Sequence, residues 1–210
     1  MTGRNVLILE HLRKELATER KRILITVRAP QVDRINLAVL RIMLTERGER
    51  GIYLSIDKPD DMVAHILERY NVAPAEMGRA DTGQQQTSTA VDSSIHGPGA
   101  NRRVLIISGI FCPTIFLDSI DAAVSTPEGG KELFEEFRGM DFLMVDNLLS
   151  MPLYNSWRKT EEFFARLDVL QQKFPHLRLL MTTDKQQDGR LYDLAAAICD
   201  IEVELRQELL

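Results

Sequence analysis

Cysteine is scarce: Cys112 and Cys199 are the only two in 210 residues, too few and too far apart for a disulfide framework. Both lie in apolar surroundings, so the expectation is two reduced core thiols in a cytoplasmic protein. No apolar run approaches the roughly 18 residues that a membrane span needs, and the first residues lack the build of a signal peptide. Histidine is nearly as rare. His11, His65, His96 and His176 share no ligand spacing with one another or with the cysteines, so no metal site is expected. Ser108, Ser150 and Ser156 lack the context of a nucleophile elbow, and no hydrolase triad can be argued.

Glycine is missing at one place where it would decide function. Residues 22–48 read as a buried strand, a tight turn and a helix, the unit on which α/β nucleotide-binding domains are built. Residues 22–27 are aliphatic and β-branched, as suits a parallel strand covered on both faces. From Asn36 the apolar positions Leu37, Leu40, Ile42, Met43 and Leu44 predict a helix that Gly48 ends in a left-handed cap. A phosphate-binding loop between them would need G-x-x-x-x-G-K-[ST], because glycines let successive backbone N–H groups curl around phosphate. The eight residues present are Arg28, Ala29, Pro30, Gln31, Val32, Asp33, Arg34 and Ile35. Both glycines are absent, Arg34 stands at the lysine position, and Ile35 replaces the hydroxyl that would hold magnesium. Pro30 has no N–H to donate, and Val32 resists positive φ.

Charge is uneven. The net charge of −5 argues against bulk affinity for nucleic acid or membrane. Residues 1–50, however, carry 11 Lys and Arg against 6 Asp and Glu, and the remainder 15 against 25, so the first part is +5 and the rest −10. That split fits either an exposed, sign-alternating helix or a basic face that docks on an acidic one.

The remaining pattern alternates strand and helix. A helix is predicted over residues 5–20 with Val6, Leu9, Leu12 and Leu16 on its inner stripe. Residues 51–56 form a strand, followed by a helix with Pro59 in its first turn and Met62, Val63, Ile66, Leu67 and Tyr70 inward. Residues from about 75 to 101 hold almost no large apolar side chain and read as a polar loop or disordered insert. Strands follow over 104–108, 141–146, 177–183 and 201–205, with helices over 113–124, 131–140, 156–174 and 190–198. The phenylalanines fall at helix-like intervals or in apolar runs and belong to a core. The expectation is one domain over residues 1–210, a three-layer, doubly wound α/β fold with a mostly parallel sheet.

With these elements in order the chain resembles the RecA-like ATPases of the KaiC type over nearly its whole length, apart from the polar insert. GERGIYLSIDKPDDMVAHILERYNV resembles the family's second strand and helix, FLMVDN its Walker B strand, and the strand ending Met181, Thr182, Thr183 its polar sensor position. The resemblance implies a P-loop NTPase fold in which Arg28, Arg34, Asp57, Asp146 and Thr183 stand at vestigial nucleotide-site positions. Asp57 falls on the first of two family carboxylates that activate water, and Lys58 on the second, so catalytic residues are not expected. No cofactor is expected either, although ATP with magnesium is what a working member of the family would bind. Three functions remain open: a non-catalytic subunit that regulates or scaffolds by assembling with itself or a paralogue, a weak nucleotide or anion binder, and a nucleic-acid-binding accessory subunit like the RecA-like subunits of Elongator. The basic first fifty residues favour the last and the acidic total opposes it.

Overall fold

The residues between Arg22 and Glu204 that are rich in Ile, Leu, Val and Met lie in strands because a strand covered on both faces can bury every side chain it carries. The structure, a computed structural model, describes residues 3–69, 77–79, 104–107 and 137–205. Among the described residues seven strands form one sheet: β1 Arg22–Thr26, β2 Gly51–Ser55, β3 Met77–Arg79, β4 Val104–Ile107, β5 Phe142–Asp146, β6 Arg178–Thr183 and β7 Ile201–Glu204. Their order across the sheet is β3-β4-β2-β5-β6-β1-β7, and every pairing is parallel. All residues of β2, β5 and β6 are buried, whereas edge strand β7 buries only Val203.

Among the described residues the helices are α1 Gly3–Leu16, α2 Val32–Arg41, α3 Asp60–Arg69, the one-turn α4 Met151–Tyr154, α5 Trp157–Lys173 and α6 Gly189–Ile198. Strand side chains alternate between two apolar layers. Ile23, Ile25, Tyr53, Phe142, Met144 and Leu180 pack with α1, α2 and α3. Leu24, Ile52, Leu54, Leu143, Val145, Leu179 and Met181 pack with Phe163, Phe164, Leu167 and Leu170 of α5 and with Leu191 and Ala195 of α6. This is the three-layer, doubly wound α/β architecture that the strand and helix alternation predicts. Cys199 is half-buried and carries a free thiol, which burial and the neighbouring Asp200 push up to about 12, so it is a poor nucleophile. Cys112 lies outside the described residues.

Four local readings change. The inner stripe of α1 is Ile8, Leu12 and Leu16, with Leu9 half-buried and Val6 exposed, one step out of phase with the expected stripe. Its carbonyl end is tied to the sheet, since buried Arg178 donates from Nη2 to the Leu16 carbonyl at 2.7 Å. Helix α2 begins four residues before Asn36 and is preceded by a 3₁₀ turn, Ala29–Gln31, so residues 29–35 are helical rather than a loop. It closes through a π-helical turn, Ile42–Glu46, and Gly48 then takes the expected left-handed conformation at φ 69°. In α3, Val63 and Leu67 are buried, but Met62 is exposed, and Pro59 stands just before the helix, where its carbonyl accepts the Val63 N–H. Finally, the polar insert contributes edge strand β3 near its start. The rest of that insert, Tyr70 and the helices predicted over 113–124 and most of 131–140 lie outside the described residues.

Candidate functional site

In a parallel sheet the strand ends, the following turns and the helix N-termini meet at the carboxyl edge, the usual place for ligands in this architecture. Three segments meet here. Ser55 at the end of β2 is in register with Asp146 at the end of β5. After β2 the chain bends through Asp57 and Lys58, and after β1 helix α2 brings Asp33 and Asn36.

Lys58 is the centre. Its Nζ lies 2.8 Å from Asp146 Oδ2, 3.0 Å from Asp33 Oδ1 and 3.3 Å from Asp57 Oδ1. Asp146 is fully buried, and Asn36, itself buried, donates from Nδ2 to its other oxygen, Oδ1. Tyr53, also buried, lies on the same face of the sheet as Asp146. Asp57 Oδ2 accepts from Asn147 Nδ2 at 2.7 Å and from the Ser150 hydroxyl at 2.6 Å. Asn147 stands in the left-handed region at φ 49°, a conformation that Asn tolerates better than most side chains.

The electrostatics follow from this packing. Burial works to lower the Lys58 ammonium's pKa, but Asp146 first and then Asp57 and Asp33 outweigh it and hold the pKa well above its ordinary value. Burial pushes the Asp146 carboxyl up against the pull of Lys58 and Tyr53. The amide of Asn36 and the ammonium of Lys58 are both donors, one to each oxygen, so the group between them is the carboxylate. The Tyr53 phenol is pushed well above its ordinary value by burial and by Asp146, so it stays protonated. Asp57 is held below the usual carboxylate value: burial opposes this, but the Ser150 hydroxyl, Lys58 and Asn147 prevail.

A pH dependence follows. A carboxyl lowered in the folded state adds stability above its unfolded value, which for Asp57 is 3.8, and that stability is lost as pH falls through the folded value. An ammonium raised in the folded state adds stability below its unfolded 10.5 and loses it only as pH rises beyond. The contributions of Asp57 and Lys58 should therefore hold from about pH 4 to about pH 10. Asp57→Asn should flatten the acid limb of stability against pH; an unchanged limb in urea titrations would show that the Ser150 and Asn147 contacts do not hold the charge.

Of the positions picked from the sequence, Asp57 and Asp146 meet through Lys58, and the others do not join them. Thr183 is buried, but alternation along β6 puts it on the face of Met181, opposite Asp146. Thr182 lies on the face of Asp146; its hydroxyl is buried and has no partner among the described residues. Arg34 is exposed on α2. Arg28 is exposed at the end of β1, on a cleft of about 160 Å³ shared with Thr26, Asp184, Lys185, Gln186, Glu204 and Leu205. Sequence reading missed Lys58 as a centre and missed Asn36 and Tyr53 altogether. Asn36 left a trace, a polar residue four positions after Val32 and four before Leu40 on an otherwise apolar helix face. Among the described residues no group of three or more His, Cys, Asp or Glu side chains is arranged to hold a metal ion, and no helix is long and apolar enough to cross a membrane.

No family model matches the sequence, and no curated protein matches it. Among solved structures, a KaiC-like protein from the hyperthermophilic archaeon Pyrococcus horikoshii is similar, with a TM-score of 0.50 and 15% identity over 90% of this chain and 73% of that one. At that identity the likeness speaks to fold alone, and together with the sheet order and the two helical layers it places the chain in the RecA-like α/β architecture.

Proposed function

We propose that the chain is a non-catalytic RecA-like subunit of the cytoplasm, which regulates or scaffolds by assembling with copies of itself or with a related subunit. The observation that carries this reading is the fate of the backbone N–H groups after β1. Ala29 donates its N–H to Asp184 Oδ2 at 2.8 Å, Gln31 to the Arg28 carbonyl at 2.8 Å and Val32 to the Ala29 carbonyl, while Pro30 has none. A phosphate cradle works by aiming such groups at the anion, and here those of Ala29, Gln31 and Val32 already have acceptors within the chain. Ile35, at the magnesium-holding hydroxyl position, is buried in the apolar layer under α2. The residues at this edge therefore do not fit a bound nucleoside triphosphate with magnesium.

Arg28 gives the reading its surface. It is exposed, and no ion pair ties it down among the described residues, so a carboxylate from the acidic part of another subunit could meet it. The same residue supports a second reading, weak anion binding in the adjoining cleft. Native mass and thermal stability measured on one sample separate the two. Assembly predicts a mass above the monomer that falls as salt rises, because exposed ion pairs are screened over about 8–10 Å near physiological ionic strength. It also predicts no change in melting temperature and no hydrolysis with ATP and magnesium. Magnesium-dependent turnover that disappears in Asp146→Ala would overturn the non-catalytic reading. A chain that stays monomeric at high concentration and low salt would remove self-assembly and leave a foreign partner.

A further inference from the structure

Large apolar side chains left open to solvent are few among the described residues, and four of the six stand in two adjacent pairs. Leu153 and Tyr154, 78% and 51% exposed, end the one-turn α4, while Val6 and Leu7, 39% and 52% exposed, lie near the start of α1. Neither pair is a loose end. Helix α4 is pinned from beneath: Leu148 and Met151 are fully buried, the Ser150 hydroxyl donates to Asp57 at 2.6 Å, and Asn155 Nδ2 donates to the Met151 carbonyl at 3.1 Å. Helix α1 is held by buried Ile8, Leu12 and Leu16 and by Arg13, whose Nε and Nη2 reach Glu46 at 2.7 and 2.8 Å. A surface fixed in advance loses little entropy when a partner covers it. Tyr154, followed by Trp157 with Arg190 stacked 4.4 Å from its ring, has the aromatic and arginine content of interface cores.

The charges beside the two pairs are opposite. Glu10 is exposed one turn beyond Val6 and Leu7, on the same face of α1. Beyond Tyr154, the exposed residues in the first turn of α5 are Arg158 and Lys159. We propose that the Leu153 and Tyr154 knob of one copy seats on the Val6 and Leu7 face of a second copy, with Arg158 meeting Glu10 across the join. This rests on the reading that the chain assembles with itself, and it names the two surfaces. Leu148 and Met151 pack in the layer of α5 and α6, and α1 in the layer of α2 and α3, so the two surfaces lie on opposite sides of the sheet. Each join then leaves a knob open on one copy and an α1 face open on the other, a heterologous contact that closes into a ring or extends as a filament. Four apolar side chains cover less than the roughly 1,200 Å² of a stable interface, so a single join is weak and association depends on protein concentration.

The test is sedimentation velocity at low salt over a range of concentration, on the full chain, on Leu153→Asp, on Leu7→Asp and on an equal mixture of the two variants. Both substitutions fall on exposed positions, so melting temperatures should stay within about 2 °C of the unmodified chain, which separates lost association from lost fold. If an aspartate lowers the melting temperature further, serine at the same position replaces it and the same outcomes apply. Each variant alone should associate at least about tenfold more weakly, as expected for loss of an interface anchor. The mixture should form pairs and nothing larger, since the intact knob of one variant meets the intact α1 face of the other. Arg158→Glu should weaken association, and adding Glu10→Arg to the same chain should restore it. An unmodified chain that stays monomeric throughout overturns the assembly reading and this inference with it. If the unmodified chain associates, but either variant associates equally well or the mixture forms no pairs, these surfaces are not the join and assembly stands without them.

Discussion

Gly51→Ala should destabilise the protein by about 3 kcal/mol, the upper part of the range for overpacking a core. Gly51 begins β2 in register with Phe142 of β5, and a Cβ built there would lie 2.1–2.3 Å from three carbons of the Phe142 ring, where ordinary contact is 3.4–4 Å. The ring cannot step aside cheaply. Phe142 is fully buried in the layer that also holds Met144 and Tyr53, so its movement displaces neighbours already at van der Waals distance. For a chain of this length, about 3 kcal/mol corresponds to a fall in melting temperature of roughly 6–12 °C. Replacing the ring separates steric conflict from a loss of glycine's backbone freedom. In a Phe142→Leu background, Gly51→Ala should cost far less, with a coupling of about 1–3 kcal/mol between the two positions. Urea unfolding of the four proteins measures it, and a cost for Gly51→Ala below about 0.5 kcal/mol would mean that the ring does not lie over the strand as described.

Such a contact shows why the fold was more legible than its details. The strands stand out as short aliphatic runs, and their alternation with helical segments is enough to imply a parallel sheet with helices on both faces. Burial on both faces removes the alternating pattern that would tell which way each residue points. For that reason Thr183 and Thr182 could not be told apart from sequence, although only Thr182 lies on the face of Asp146. In α1 the run Val6, Leu7, Ile8, Leu9 satisfies more than one helical phase, and only packing selects Ile8. Residues 29–35 looked like a turn because Pro30 and Asp33 are poor interior helix residues. At a helix start, however, proline lacks only an N–H that would be unsatisfied anyway, and Asp33 complements the helix dipole. Edge strand β3 spans three residues, too few for any periodicity, and its state comes from pairing with β4.

The site was legible in parts but not as a whole. Asp57 and Asp146 were found through the resemblance to KaiC-type proteins, which places an acid after each of their strands. That Lys58 binds both, together with Asp33, depends on sheet order: β2 and β5 are neighbours although β3 and β4 separate them in sequence. Local pattern carries no record of that adjacency. The resemblance to KaiC-type proteins marked Lys58 as a lost carboxylate; the structure gives it a positive role, a cation joining three segments.

That role sets the second large effect. Lys58→Met should cost about 3–5 kcal/mol, the range for removing one partner of a buried ion pair and leaving the other uncompensated. The cost centres on Asp146, which is fully buried and, among the described residues, keeps the Asn36 amide as its donor once the ammonium is gone. Asp33 contributes little, since its side chain is 63% exposed and water replaces the lost cation there. Asp57 lies between these limits and retains Asn147 and Ser150. Methionine is chosen because it fills much of the lysine's volume, which keeps a cavity out of the comparison. Adding Asp146→Asn to Lys58→Met should recover most of the loss, because a neutral amide can still accept from Asn36 and leaves no buried charge. The double variant should then be more stable than Lys58→Met alone, a reversal that a purely steric role for Lys58 would not produce. If Lys58→Met costs less than about 1 kcal/mol, or if the double variant is no more stable than the single one, Lys58 is not the cation that holds the carboxyl edge together.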